Sequence, residues 1–526
     1  MKTKHILLGL SLGLLGGFTA CDVTDLNPKD SITDNSYWNT VSDLENYAKG
    51  FYMNLTGKGL RADGSENLDD LNTLDERSDN RLVASPDQWL FNEWVIPSEA
   101  NFDSKWYWNN IRNLNYFMTR YQRVNATESE VNPVVAVIRF FRAFDYFDKI
   151  KTFGDVPWYE KDLTTADIDE LYKARDDRDF VLGKIIEDLE FAIEWLPEKS
   201  AAEVGALHKD AARTFLARVC LHYGTYKKYH NVSTSPTSQE LLQKAATLAK
   251  EVMDSGLYDI VQGSDAGANQ SAFADYPLYY ANQFTQEDLT TNKECILARV
   301  FEADVLTHNL ARGGGVGLSK DFAESFLCKD GLPIANSSEY KGDETLDDEM
   351  ANRDPRMYQI IDSKYRPYTV KSNGMRVVNS GIDDKKEFSP SEEPGTNIHS
   401  APGLTGTATG YSPIKLVSAS QSQQDAVKTS SYDWFVFRYA EILLIYAEAK
   451  CELGECTQAV LDETINKLRD RVEMKHLTVS PVADLNPVDY GYSITPLLYE
   501  IRRERRIELA LEGFRYDDIM RWNAMK

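Results

Sequence analysis

The stretch Phe437-Arg438-Tyr439-Ala440-Glu441-Ile442-Leu443-Leu444-Ile445-Tyr446-Ala447-Glu448-Ala449, followed by Ile501-Arg502-Arg503-Glu504-Arg505-Arg506-Ile507-Glu508-Leu509-Ala510-Leu511-Glu512-Gly513-Phe514-Arg515, decides how this chain is read. Both segments read as helices. At 100° per residue Ile442, Ile445 and Ala449 share a face, with Glu441 and Glu448 along its edge. In the second segment Glu504, Glu508 and Glu512 recur every fourth residue between Leu497 and Ile501 on one side and Ile507 and Leu511 on the other. An acidic row inside an apolar face must be paired, because an isolated buried charge costs far more than packing returns. Arg438, Arg469, Arg471, Arg505, Arg515 and Arg521 supply the partners. The pattern predicts a buried ion-pair lattice holding helices together. Its carboxylates stay ionised beside their arginines, which argues against a poised catalytic pair.

Outward from this stretch, 526 residues leave room for a large core or several domains. The 28 tyrosines and nine tryptophans exceed what a core needs, so some are expected on the surface as binding platforms. Residues 1–20 carry Lys2 and Lys4, an apolar run from Ile6 to Leu15 and small residues up to Ala20. This reads as a secretory leader ending in a lipobox at Phe18-Thr19-Ala20-Cys21, too short to span a membrane, with Phe18 where leucine is commoner. Cys21 is then the lipidated N-terminus. The alternative is an ordinary cleaved leader beside a chance cysteine. The formal charge of −24 becomes two units more negative when Lys2 and Lys4 are removed. Such a charge repels nucleic acid and anionic lipid and favours neutral or polar ligands. Gly313-Gly314-Gly315-Val316-Gly317 lacks the lysine and strand of a phosphate-binding loop and reads as a turn. Of the remaining five cysteines, Cys220 lies in an apolar helical run and reads as core. Cys451 and Cys456 flank Gly454 at a turn, where a disulfide or two free thiols fit equally well. No cysteine–histidine spacing suits zinc, no cofactor is implied, and the acidic run Asp343–Glu349 reads as a solvated surface before a calcium site.

Helical patterns cover Ser31–Asn54, Ala100–Tyr121, Pro133–Lys149, Asp179–Leu196, Asp210–Tyr223 and Gln239–Met253, with a stop at Phe153-Gly154-Asp155-Val156-Pro157-Trp158. Small residues at Ala211, Ala212, Ala217, Ala245, Ala246 and Ala249 fit the close approach of paired helices, as in tetratricopeptide-like hairpins. From Asp259 to Asp433 the helical period gives way to glycine, serine, proline and asparagine. The expected fold is therefore dominated by α-helix, with tetratricopeptide-like hairpins and a large irregular subdomain. The expected divisions are a leader (1–20), an anchor linker (21–36), a helical part (37–258), the irregular part (259–433) and a second helical part (434–526) that packs on the first.

The C-terminal pattern continues through Ile465-Asn466-Lys467-Leu468-Arg469-Asp470-Arg471, Gly513-Phe514-Arg515 and Asp518 to Arg521-Trp522. With the turn at Phe153–Trp158, Asp330-Gly331, Asn352-Arg353-Asp354-Pro355-Arg356 and Gly410–Lys415, it resembles the SusD/RagB family. Those are surface glycan- or nutrient-binding lipoproteins of Bacteroidetes. The resemblance covers nearly the whole chain after the leader and implies a protein bound to the outer membrane through its lipid. It also implies a SusC-like TonB-dependent transporter as partner, on which the protein acts as a lid, and an ordered rather than disordered irregular part. Family members commonly run somewhat past the Arg521-Trp522 position, so a C-terminal tail is expected to be missing.

Sugar rings present C–H patches that stack on aromatic faces, while amides and charged groups satisfy the hydroxyls. Two stretches fit that chemistry. One holds Arg81, Trp89, Asn92, Trp94 and Asn101; the other holds Tyr276, Tyr279 and Tyr280. Trp106 and Trp108, beside Ile111, are expected in the core. The leading reading is a non-enzymatic capture protein for an oligosaccharide or peptide. A secreted glycoside hydrolase would need two carboxylates facing across a cleft. A helical-repeat adaptor binding only protein would not need the aromatic loops.

Overall fold

The computed structural model describes residues 34–55, 60–61, 74–82, 106–262, 277–308, 310, 317–363, 369–370, 376–379, 385–388, 409–424 and 430–524. The leader, Cys21, Trp89, Asn92, Trp94, Asn101 and Tyr276 lie outside the described residues.

The helices of the first half fall near their expected spans, but the expected Ser31–Asn54 is divided into Asp34–Tyr37 and Val41–Lys49 by a break at residues 38–40. Helix α1 (Val41–Lys49) opens on Thr40, whose amide donates to the Asp43 carboxylate at 2.8 Å while its hydroxyl accepts from the Asp43 amide. Helix α2 (Asn109–Met118) starts later than its pattern suggests. Trp106 and Trp108 precede it, half-buried against the core, with the Trp106 ring edge-on to Phe153 at 4.8 Å. Helix α3 (Glu128–Phe153) stops at Gly154, which adopts φ = 72° as the expected break requires. Helices α4 (Arg178–Trp195), α5 (Lys209–Tyr229) and α6 (Ser238–Asp254) follow. Consecutive helices pack in pairs, α3 on α4 and α5 on α6. The small-residue reading holds at that second contact, where a Cβ on Gly224 would lie 2.9 Å from Leu242. Cys220 is fully buried there, as expected.

The irregular part contributes strand β1 (Cys295–Arg299), short helix α7 (Arg356–Ile360) and a small antiparallel sheet of residues 369–370, 376–379 and 385–388. The C-terminal part then departs from local periodicity at three points. Phe437 and Arg438 are not helical; they end strand β2 (Trp434–Arg438), which pairs antiparallel with β1, Cys295 facing Arg438. An aromatic and β-branched run buried on both faces suits a strand, and the partner that selects it lies far away in the chain. Helix α8 (Tyr439–Glu452) starts only afterwards. Residues 458–471 form two short helices, α9 (Gln458–Glu463) and α10 (Ile465–Arg471), broken at Thr464. Helix α11 (Pro496–Glu508) ends before Glu512, and α12 (Arg515–Arg521) follows after Leu511 and Gly513 take positive φ. The Leu511 and Gly513 amides donate to the Asp75 carboxylate at 2.8 and 3.2 Å. That acceptor comes from 436 residues upstream, so no local pattern records it.

The buried lattice is present, with more partners than the arginines of the C-terminal segments. Glu508, fully buried, accepts from Arg356 at 3.0 Å, from Arg438 at 2.8 Å and from Arg471. Arg438 also reaches Glu294 and Glu512, each at 2.7 Å. Arg356 also holds Asp354 at 2.7 Å and Glu504 at 2.6 Å, and Arg469 completes the Glu504 pair at 2.9 Å. Lys415 meets Glu512 at 2.6 Å. Glu294, Asp354, Arg356 and Lys415 belong to the irregular part, so the lattice ties that part to α11. Farther along, Glu441 pairs with Arg218, and Glu448 with Arg521 and the Trp522 indole. Arg505 and Arg515 pair with Asp518 and Asp79.

Candidate ligand-binding face

Segment 74–82 is fixed to the C-terminal turn before it does anything else. Arg515 grips Asp79 with two bonds of 2.7 Å, Arg506 donates to Asn80 at 2.7 Å and to Asp321 at 2.7 Å, and Asp75 takes the turn amides. Burial works to raise the Asp79 carboxyl, but Arg506 and Arg515 outweigh it and hold it well below the carboxylate range. At Asp75 burial prevails and pushes the carboxyl up against the pull of Asn80, the Leu511 amide, Lys415 and Arg81.

From this anchor a run of contacts, most of them between buried residues, leads through the irregular part. The Leu82 amide donates to Gly317 at 2.8 Å, and Arg81 and Leu318 form a bridge. The Leu318 amide donates to Tyr411 at 2.8 Å, Asp362 to Ser412 at 2.8 Å, and Ile414 to Ile360 at 2.8 Å. The Tyr358 hydroxyl closes the row on the Pro277 carbonyl at 2.8 Å, and the Gln359 side chain accepts from the Tyr280 and Ala281 amides at 3.0 Å. Leu82, Gly317, Ser363, Thr409 and Pro277 each border a stretch outside the described residues. The row therefore brings the roots of five separate chain segments together. Each of the two stretches singled out in the sequence has a residue on the row, Arg81 in the first and Tyr280 in the second.

Two of the candidate contacts take different roles from those expected. Tyr280 has no exposed surface: its hydroxyl donates to the Glu508 carbonyl at 2.6 Å and its ring lies against Lys415 and Arg471. It is a packing residue over the ion lattice. Arg81 is 5% exposed and donates to the Leu74 carbonyl at 3.1 Å, which makes it a brace for its own segment. The Tyr280 partner lies 228 residues away and is not legible locally, whereas the Arg81 partner lies within its own segment. Tyr279 is half-buried at the edge of the row. Leu82 is 52% exposed at its head, and beyond Leu318 Lys320 pairs with Asp343 and Asp321 with Arg506.

The acidic run Asp343–Glu349 is dispersed. Asp343 pairs with Lys320, Asp348 takes the Thr345 hydroxyl at 2.6 Å, and Glu349 is buried, accepting from Tyr411 at 3.0 Å. Among the described residues no three or more metal-ligating side chains are grouped. Two buried carboxylates are held below their ordinary values against burial: at Glu508 three arginines keep it far down, and at Glu448 Arg521 brings it to about 2, whereas burial raises Glu500 of α11.

Comparison with known proteins agrees with the fold. Residues 263–526 match the model of the SusD family, and residues 27–221 match one described as starch-binding associating with outer membrane. The chain belongs to the SusD family. SusD-like protein P2 of Formosa agariphila is 24% identical over 99% of this chain and 90% of its own length, and SusD-like protein P38 of the same organism is 23% identical over 99% and 92%. A SusD-like carbohydrate binding protein from Bacteroides fragilis superposes with a TM-score of 0.65 at 23% identity, covering 93% of this chain and 87% of that one. A structure solved with xylogluco-oligosaccharide gives 0.60 at 17% identity, covering 91% and 83%. At these identities the structural likeness shows the SusD fold, helical and tetratricopeptide-like with an irregular part packed on it.

Proposed function

We propose that this SusD-family chain is a lipid-anchored cell-surface protein that captures oligosaccharides and passes them to a SusC-like TonB-dependent transporter, closing over it as a lid. The observation that carries the reading is the meeting of five segment roots along one row of contacts, two of which continue in sequence to Trp89, Asn92, Trp94 and Asn101 and to Tyr276. Stacking rings and amides are what a sugar requires. Relatives whose names state carbohydrate binding, and one solved with xylogluco-oligosaccharide, favour a glycan over a peptide. The candidate contacts that remain are Trp89, Asn92, Trp94, Asn101, Tyr276 and Tyr279. The lipid on Cys21 holds the protein to the outer membrane, and no covalent chemistry is involved: affinity and closure carry the mechanism.

The test is calorimetric titration of a form starting after Cys21 against a panel of oligosaccharides and peptides, with product analysis of the same mixtures. Binding of an oligosaccharide without cleavage is expected, weakened at least about tenfold, or roughly 1.4 kcal/mol, in the Trp89→Ala, Trp94→Ala double variant. Cleavage products would replace this reading with a glycoside hydrolase. No binding to any panel member would leave a lid or adaptor that contacts only protein.

A further inference from the structure

Five cysteines are free among the described residues, and they divide into two kinds. Cys220, Cys295 and Cys328 are buried, and burial raises all three thiols, the first two to about 12. Such thiols are inert. Cys451 and Cys456 are half-exposed, stand at the two ends of one turn and are each the leading influence on the other's thiol. They face one another because α8 ends in a tight reversal: Gly454 takes φ = 75°, its amide donates to the Cys451 carbonyl at 3.0 Å, and the Glu455 amide returns to the Lys450 carbonyl at 2.8 Å. A Lys450–Glu455 ion pair spans the same turn, and the Thr457 hydroxyl caps α9 immediately beyond it.

We propose that Cys451 and Cys456 form a redox-active pair that closes into a disulfide across the α8–α9 turn when the protein meets an oxidising thiol–disulfide medium. The roles within the pair are unequal. The contact with Cys456, burial, and Glu452 and Glu448 raise the Cys451 thiol, whereas the contact with Cys451 and the Lys450 ammonium, held at the turn by Glu455, lower that of Cys456. Cys456 is therefore the attacking sulfur. With glutathione disulfide as oxidant, the Cys456 thiolate attacks one glutathione sulfur and expels a glutathione thiolate. The Cys451 thiol then loses its proton to solvent, and its thiolate attacks Cys456 Sγ and expels the second glutathione. Two protein thiols are oxidised and one glutathione disulfide is reduced to two glutathione molecules. The inference is independent of which ligand the protein binds.

The test uses the chain starting after Cys21, equilibrated in glutathione buffers from fully reducing to fully oxidising, then denatured for thiol counting and peptide mapping. The free thiols are expected to fall from five to three, with one cross-linked peptide joining Cys451 to Cys456, and dithiothreitol should restore them. Cys451→Ser should stop at a glutathione adduct on Cys456, whereas Cys456→Ser should keep Cys451 free. These variants change a half-exposed sulfur to an oxygen, and their folding is checked by circular dichroism. Wild-type protein that keeps five thiols in the oxidising buffer, or halts as a lasting glutathione adduct on Cys456, would overturn the proposal. So would a disulfide involving Cys220, Cys295 or Cys328.

Discussion

Glu508→Gln is the sharpest single probe of how this fold is held together. Glu508 is fully buried and takes Arg356, Arg438 and Arg471 at once. Replacing the carboxylate with an amide removes the charge and puts donors where three guanidinium donors converge. Breaking a buried pair by removing one partner costs about 3–5 kcal/mol, mostly from the uncompensated charge left behind. Here none of the three arginines is left without an acid: Arg356 keeps Asp354 and Glu504, Arg438 keeps Glu294 and Glu512, and Arg471 keeps Glu294. The expected loss is therefore near the lower end, about 3 kcal/mol. In urea unfolding, with a slope near or above about 3 kcal/mol/M for a chain of this size, the midpoint should fall by up to about 1 M. Because Arg356 joins the irregular part to α11, amide exchange should accelerate in α7 as well as in α11. Lys184→Ala serves as control, since its Glu187 partner is 58% exposed in the side chain, and it should change stability by about 0.5 kcal/mol or less. A Glu508→Gln midpoint that stays within the control's range at unchanged slope would refute the lattice as a source of stability.

Two further outcomes are expected. Glu448 titrates at about 2 in the fold against 4.5 ordinarily, so the stability it contributes is present above pH 4.5 and is lost as pH falls toward 2. Asp433 works in the opposite sense: burial raises its carboxyl to about 6, so its contribution is present below its ordinary 3.8 and is lost as pH rises through 6. Urea midpoints measured from pH 2.5 to 7 should show the acid limb, and Glu448→Gln should flatten it; equal slopes in the two proteins would contradict the assignment. Tyr280→Phe removes a buried hydroxyl that donates to Glu508, and should cost about 1 kcal/mol in unfolding while leaving the affinity for any oligosaccharide unchanged. A large loss of affinity at undiminished stability would return Tyr280 to the ligand site.

Helix positions were readable along the chain because breaks and apolar stripes are local signals: Gly154 after Phe153 and the small residues of α5 and α6 each act within a turn or two, while the Thr40–Asp43 cap that divides the expected Ser31–Asn54 is seen only in the structure. The need to pair Glu504 and Glu508 was readable for the same reason, since burial of an acidic row follows from its apolar neighbours alone. The identity of the partners was not. Arg356, Glu294 and Lys415 reach the lattice from the irregular part, and a side chain that must find an opposite charge carries no mark of which one it will find. The same limit applied to β2, which became a strand because β1 was available to pair with it, and to α11, which stopped where Asp75 could take the Leu511 and Gly513 amides. At the candidate face, the aromatic composition of the two stretches lay in the sequence, but whether a given residue faces a ligand or the core did not. Tyr279 and Tyr280 are chemically identical neighbours. Only the tertiary structure, by placing the Glu508 carbonyl beneath one and the edge of the row beside the other, separates them, because burial depends on what the rest of the chain brings to each side chain.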